Sequence, residues 1–271
     1  MNIEPVVFMK HQQRNARTPN LTLDWGVDGM RYALQHNDVT VVVDTLRFST
    51  AVVTAVANGF TIYPVADRES GRNLAASIGA NIAGKPGEGK YTISPHTYIN
   101  APDEHNKNVV LFSPNGAACS ALVGSGQEAY VGCLLNARAV GEHITSLARR
   151  LKINVTLIAA GEQRALDTGE RIVYEKKSAY RVFAIEDYLA CGAILHYSEL
   201  AKSAEAQVCE YAFKGAHGVI EDLLLESFSG RYLVQHDLRK DVTHAARLNS
   251  YDVIPCIREG RIAGLSGEER A

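Results

Sequence analysis

The sequence predicts an α/β protein, built as three α/β/α layers around a mainly parallel or mixed sheet. Three observations carry this. Short Val- and Ile-rich runs alternate with Ala-rich runs of helical length, the pattern of repeated strand–helix units. The strand-like runs are mainly apolar, and repeated βα units place helices on both faces of the sheet. Four of them also pass directly into small or charged residues that open a helix-like run. Val41-Val42-Val43 leads into Asp44 to Thr50, and Val109-Val110-Leu111-Phe112 into Ser113-Pro114-Asn115-Gly116. Tyr130 to Leu135 leads into Asn136, and Val155-Thr156-Leu157-Ile158 into Ala159-Ala160-Gly161-Glu162. In a parallel sheet such ends share one edge, where helix N-termini and convergent polar groups favour anionic ligands. The expected product is an enzyme whose site is assembled from several strand-to-helix turns.

Residues 1–38 are polar and irregular and read as an N-terminal extension packed across the fold. The catalytic α/β domain is expected over 39–262, either as one unit or as two subdomains split near 160–185. Within it, Val39–Asp44 reads as a strand and Ser49–Asn58 as a helix closed by Gly59. Phe60–Val65 reads as a second strand, and Asp67 is placed to cap a helix reaching Ile78. Residues 81–108 hold Gly84, Pro86, Gly87, Gly89, Pro95 and Pro102 with little periodicity. They read as a long loop, and Lys85, Lys90, His96, Tyr98 and Asn100 make it a candidate lid. Strands near 109–113, 130–134 and 154–159 follow, separated by helices near 116–124 and 137–151. The charged run 164–181 reads as an exposed loop or hairpin. Helices are expected near 185–201, 203–213 and 216–226, with a tail returning to the sheet through Asp252–Ile257 and Arg261-Ile262.

The bulk numbers narrow the function. With 271 residues, the chain is long enough for a substantial core. A formal charge of -2 argues against a nucleic-acid surface but leaves room for a local anion pocket. No apolar stretch approaches the roughly 20 residues that span a bilayer, and Lys10, Arg14 and Arg17 interrupt the N-terminus where a signal core would lie. Five cysteines without a C-x-x-C fit reduced thiols and a cytoplasmic location. Self-association into a homo-oligomer is left open. Gly84 to Lys90 imitates a phosphate loop, but Tyr91 replaces the required Ser or Thr and no helix pattern follows. Gly124-Ser125-Gly126 stands after a helix and before a strand, the wrong order for a dinucleotide site. Asp44-Thr45-Leu46 lacks the second acid of a phosphoaspartyl motif, and no G-x-S-x-G elbow is present.

Several segments in series resemble the 2-phosphosulfolactate phosphatase family. They are Val43 to Thr50 with Ala55-Val56-Ala57-Asn58-Gly59, Ser113 to Gly116, and Leu135 to Val140. Ala159 to Glu162 is followed by Ala184 to Ala193, and then by Leu225 to Leu233, Lys240-Asp241-Val242 and Val253-Ile254-Pro255. The resemblance covers roughly 39–258. Two positions depart from it: Tyr91 to Asn100 stands where the family has G-F-D-x-x-N-S-P, and Phe48 replaces a small residue. The resemblance implies Mg²⁺-dependent hydrolysis of a small anionic phosphomonoester and a link to coenzyme M biosynthesis. The alternative is a non-catalytic anion-binding or interaction protein of the same fold.

The residues allow two readings at most positions. Asp44 ends a buried run, where a carboxylate needs a metal, a salt bridge to Arg47 or a helix cap. Arg47 suits an anion through its planar fork, or pairs with Asp44. Ser49 and Thr50 are N-cap candidates whose turn amides would also face a substrate. Asn115-Gly116 is a β-turn or an anion approach. Asn136 orients substrate or caps a helix, and Gly161 stands at the fourth strand end. Glu186 and Asp187 are dipole-favoured first-turn acids or, with Asp44, the metal ligands. Asp44, Arg47 and Glu186 are the expected catalytic residues. Glu162 is a spare acid, and Cys191 a packed small residue.

Overall fold

In the computed structural model, residues 18–85, 89–99, 101, 105–165, 179–267 and 269 are described. The chain order begins with strand β1 (Asn20–Trp25), helix α1 (Gly26–Gln35), β2 (Val39–Val43), α2 (Phe48–Ala57), β3 (Thr61–Val65) and α3 (Arg68–Ile78). Next come β4 (Asn81–Ile82), the short α4 (His96–Ile99), β5 (Asn108–Phe112), α5 (Gly116–Ser120), β6 (Ala129–Val131) and α6 (Ala137–Leu151). The chain continues through β7 (Val155–Ala159), β8 (Glu162–Ala165), β9 (Ala179–Val182), α7 (Ile185–His196), β10 (Ala201–Lys202) and α8 (Ala204–Ala216). It ends with α9 (Ile220–Glu226), α10 (Phe228–Gln235), α11 (Arg239–Ala245), β11 (Pro255–Arg258) and β12 (Arg261–Gly264).

Ten strands form one mixed sheet in the order β10-β1-β7-β2-β6-β11-β12-β3-β5-β4. The first five run parallel, as do β3, β5 and β4. The hairpin β11–β12 pairs antiparallel with β6 on one side and β3 on the other. Strand β2 explains why the core is two-sided. Val39, Val41 and Val43 enter the cluster formed with α6, α7 and α8, while Val42 enters the cluster formed with α1 and α2. All five β2 residues are buried, because successive side chains point to opposite covered faces. Helix α2 crosses this interior and is apolar around most of its circumference, with nine buried residues of ten. Gly59 follows it with φ +80, a conformation that glycine adopts without a Cβ clash.

The α/β/α expectation holds, with four local corrections. Residues 20–35 are not irregular extension: β1 lies inside the sheet between β10 and β7, and α1 packs onto it. Leu21, Leu23 and Trp25 alternate with Asn20, Thr22 and Asp24 as in a strand, and pairing with β7 and β10 sets that strand inside the sheet. The four strand ends do not share one parallel edge, because three successive antiparallel pairings reverse β5 relative to β2. The 81–108 region is not a solvated lid throughout. Tyr91 and Tyr98 are fully buried, stacked 5.5 Å apart, and both meet the edge of Phe60. Finally, the stretch expected to return as a tail first forms α10 and α11. The 164–181 expectation finds its stem in the antiparallel pair β8–β9, and residues 166–178 lie outside the described residues, as does Asn100. Among the described residues, no helix is long and apolar enough to cross a membrane.

Candidate active site

The turn after β2 organises the site. Val43 ends the strand, and Asp44 is held by its own turn. Its amide donates to Ser49 Oγ at 2.8 Å, and Oδ1 accepts the Phe48 amide at 3.2 Å. Its other oxygen, Oδ2, accepts the Gly116 amide at 2.7 Å and the Ser113 hydroxyl at 3.3 Å. The ends of β2 and β5 therefore meet at this carboxylate although their strands belong to opposed parallel blocks. Gly116 permits the approach. A Cβ there would lie 2.4 Å from Phe48 Cδ1 and 2.8 Å from Asp44 Oδ2. Asp44 is only 5 % exposed, and burial raises its pKa from 3.8 to about 6 against the opposing amide bonds, with help from the Glu162 charge.

Asp187, in the first turn of α7, enters from the other side. Its Oδ1 accepts the Thr45 amide at 2.7 Å and its Oδ2 the Gly161 amide at 3.0 Å. Burial raises its pKa well above the ordinary carboxylate range, followed by the charges of Asp44 and Glu186. Glu186, also buried, is pushed up by desolvation, while hydrogen bonds from Ser229 and Ser227 pull the other way. The single Ser229 proton is shared between the two acids, its Oγ lying 3.1 Å from Glu162 Oε2, and Asn115 Nδ2 donates to Glu162 Oε1 at 3.1 Å. Four acids from two strand ends and one helix start, Asp44, Glu162, Glu186 and Asp187, thus form a linked cluster. Among the described residues none of them forms an ion pair with Lys, Arg or His.

The predicted residues divide cleanly. Asp44, Asn115, Gly116, Gly161, Glu186 and Asp187 are brought together. Ser49 and Thr50 are buried beside them, but in the first turn of α2 rather than at its cap, which is Arg47. Ser49 Oγ also donates to Val42 O, and Thr50 Oγ1 donates to Thr45 O, so both hydroxyls hold the turn. The Gly116 amide is aimed at Asp44 instead of outward. Arg47 pairs with Asp241, not with Asp44: its Nη1 lies 2.6 Å from Asp241 Oδ2. Asn136 departs from the expectation. It is fully buried, with Oδ1 accepting the Cys133 amide and Nδ2 donating to Val131 O and Val253 O. Those bonds fasten the start of α6 to the chain before β11, leaving nothing for a substrate.

Sequence reasoning left Glu162 as a spare and missed Ser229, Ser113, Asp241 and Arg181. Arg181 lies within a charged run, yet it folds back over Gly26 and Gly161 and donates to Ala160 O. The only sequence signal for Ser229 and Asp241 is that they fall in C-terminal stretches already singled out by resemblance.

A hard divalent cation suits this donor set. Carboxylate oxygens dominate it, and buried Asn115 Oδ1 has no hydrogen-bond partner. Among the described residues, no three His, Cys, Asp or Glu side chains form a ready metal cage. Mg²⁺ needs none, since it usually keeps several waters and takes one or two protein carboxylates with substrate phosphate.

Comparison with known proteins decides the family. The profile described as 2-phosphosulpholactate phosphatase matches residues 28–260. The chain belongs to that family. Relatives named probable 2-phosphosulfolactate phosphatase include one from Symbiobacterium thermophilum, 26% identical over 84% of this chain and 94% of its own length. Another, from Carboxydothermus hydrogenoformans, is 28% identical over 82% and 88%. The protein named 2-phosphosulfolactate phosphatase from Methanothermobacter thermautotrophicus is 29% identical over 82% and 88%. The family is one of phosphoric monoester hydrolases, and its matched span takes in every acid of the cluster as well as Arg47 and Asp241.

Proposed function

We propose that the protein is a Mg²⁺-dependent phosphatase that hydrolyses a small anionic phosphomonoester, with 2-phosphosulfolactate the first substrate to test. The observation that supports this most is the cluster of buried Asp44, Glu186 and Asp187 with partly buried Glu162, which among the described residues has no ion-pair partner, within a chain of this family. Asp44 with Glu186 or Asp187 would hold the metal, which when bound polarises the phosphoryl oxygens and acidifies an attacking water.

The remaining chemistry belongs to the chain. Arg47, with guanidinium donors left over from its bond to Asp241, neutralises charge on the transferred group, as phosphoryl transfer requires. In the metal-free protein, burial and the Glu162 charge hold Asp44 at about 6, a cost that a cation bound there would relieve. Water displaces the alcohol at phosphorus, the P–O ester bond breaks, and inorganic phosphate and the free alcohol leave. Direct attack by water is favoured over a thiol. Burial raises both Cys119 and Cys133 to about 12, so neither is a thiolate at neutral pH.

The test is phosphate release from 2-phosphosulfolactate, a panel of phosphorylated hydroxy acids and a generic phosphomonoester, with Mg²⁺ and with chelator. Turnover that depends on Mg²⁺, and falls at least about a hundredfold in Asp44→Asn, supports the proposal. Turnover unaffected by chelator removes the metal, and no turnover on any member leaves the anion-binding alternative.

A further inference from the structure

Arg47 belongs to the turn that carries Asp44, and how it is held bears on what it can do. Asp241 lies on α11, 194 positions along the chain, and is fully buried. Its two oxygens have separate duties. Oδ2 accepts Arg47 Nη1 at 2.6 Å, a short charge-assisted bond, and Oδ1 accepts Ser94 Oγ at 2.7 Å. Ser94 belongs to the turn before α4, and its amide is in turn bonded to Thr92 Oγ1 at 3.0 Å. His96 Nε2 lies 3.9 Å from the same Oδ1 and 3.2 Å from Lys240 O. One turn further on α11, His244 shares a 2.9 Å hydrogen bond with Thr54 of α2. Three distant segments therefore close around the arginine: the start of α2, the turn at 92–96 and α11.

The grip leaves most of the fork free. Among the described residues, Nη1 is the only guanidinium nitrogen with a hydrogen-bond partner, and the side chain keeps 17% exposure. A guanidinium built only to neutralise a buried aspartate gains most from a bidentate pairing. Here one nitrogen is spent on the protein, and the others are available to an anion. Both Asp241 oxygens are satisfied, so the carboxylate cannot swing away with the arginine.

We propose that Asp241 is the positioning residue for Arg47, and that Ser94 orients its carboxylate, so that the guanidinium is set to receive a phosphoryl oxygen before substrate arrives. This rests on the phosphatase reading above. It also explains why residues near 91–98 are packed as core: a turn that orients Asp241 has to be rigid.

The test is a double-mutant cycle on the full chain, with a generic phosphomonoester as substrate and inorganic phosphate as inhibitor. Asp241→Asn keeps the shape but weakens the grip, and is expected to lower kcat/KM about 10- to 100-fold. Arg47→Lys is expected to fall in the same range, and the double variant to be no worse than about 3-fold below the poorer single variant. Ser94→Ala, a gentler change, is expected to weaken phosphate inhibition about 3- to 10-fold in the wild-type background and not at all beside Arg47→Ala. A purely structural pair gives another pattern. Asp241→Asn then lowers Tm while the folded protein keeps its kcat/KM, or the two variants multiply. Either result, from an active wild type, overturns the positioning role alone. A wild type that neither hydrolyses the ester nor binds phosphate overturns the phosphatase reading and this inference together.

Discussion

Asp44 provides a sharp test, because its cost to the fold and its use to the site have opposite signs. Burial raises its pKa from 3.8 to about 6, so between these values the folded protein holds a proton that the unfolded chain has released. The associated stability is fully present below pH 3.8 and is lost as pH rises through about 6. At 1.36 kcal/mol per unit, a shift of about two units corresponds to about 3 kcal/mol lost by pH 7.5. Urea unfolding of the metal-free protein at pH 4.5 and pH 7.5, for wild type and Asp44→Asn, isolates this contribution. The other titrating groups are common to both proteins, so wild type is expected to lose more stability than the variant across this interval, by about 2 kcal/mol, because pH 4.5 already lies above 3.8 and about 1.5 units of the shift remain. Neutralising Asp44 also removes a charge that raises Asp187, which enlarges the difference. Mg²⁺ at about 100 times its Kd should return about 2.7 kcal/mol to wild type at pH 7.5 and much less at pH 4.5. Equal pH dependence in the two proteins would refute the desolvated, like-charged account of the cluster. An unchanged midpoint on adding Mg²⁺ would refute the metal proposal.

Three other substitutions probe the architecture. Gly116→Ala drives a methyl into Phe48 and Asp44 Oδ2, and is expected to cost about 1–3 kcal/mol of stability and most of the activity, read by urea midpoint and phosphate release. Asn136→Ala strands three backbone groups that its side chain holds; a loss of about 2–4 kcal/mol with normal KM in the folded fraction is expected, whereas a raised KM would return Asn136 to the substrate. Tyr98→Phe removes a 2.8 Å bond to Thr92 O, so a loss of about 1 kcal/mol with unchanged relative kcat/KM across phosphorylated acids is expected, and altered selectivity would revive the lid.

Much of this protein is local and was therefore legible. The β2, β3, β5, β6 and β7 runs are short, β-branched and apolar because they are covered on both faces. Asp67 sits at a cap, where its side chain accepts the Glu69 and Ser70 amides. The acids Asp44, Glu186 and Asp187 stand at strand and helix starts whose small flanking residues allow close approach, so their candidacy could be argued from position. What the chain order cannot express is pairing between distant segments. Asn20–Trp25 carries a strand's alternation, with Leu21, Leu23 and Trp25 set against Asn20, Thr22 and Asp24, but its place inside the sheet depends on hydrogen bonds to β7, more than 130 positions away. The partner of Arg47 was misjudged for the same reason: Asp44 is near in sequence, but Asp241 holds the guanidinium across 194 positions. Asn115 and Asn136 occupy similar strand-to-helix turns in the sequence, yet one binds an acid of the cluster and the other fastens backbone. Residue type and local pattern determined which groups were available. Only the tertiary packing, by choosing which of them lost water together, decided which acids lie side by side and which polar side chains merely hold the frame.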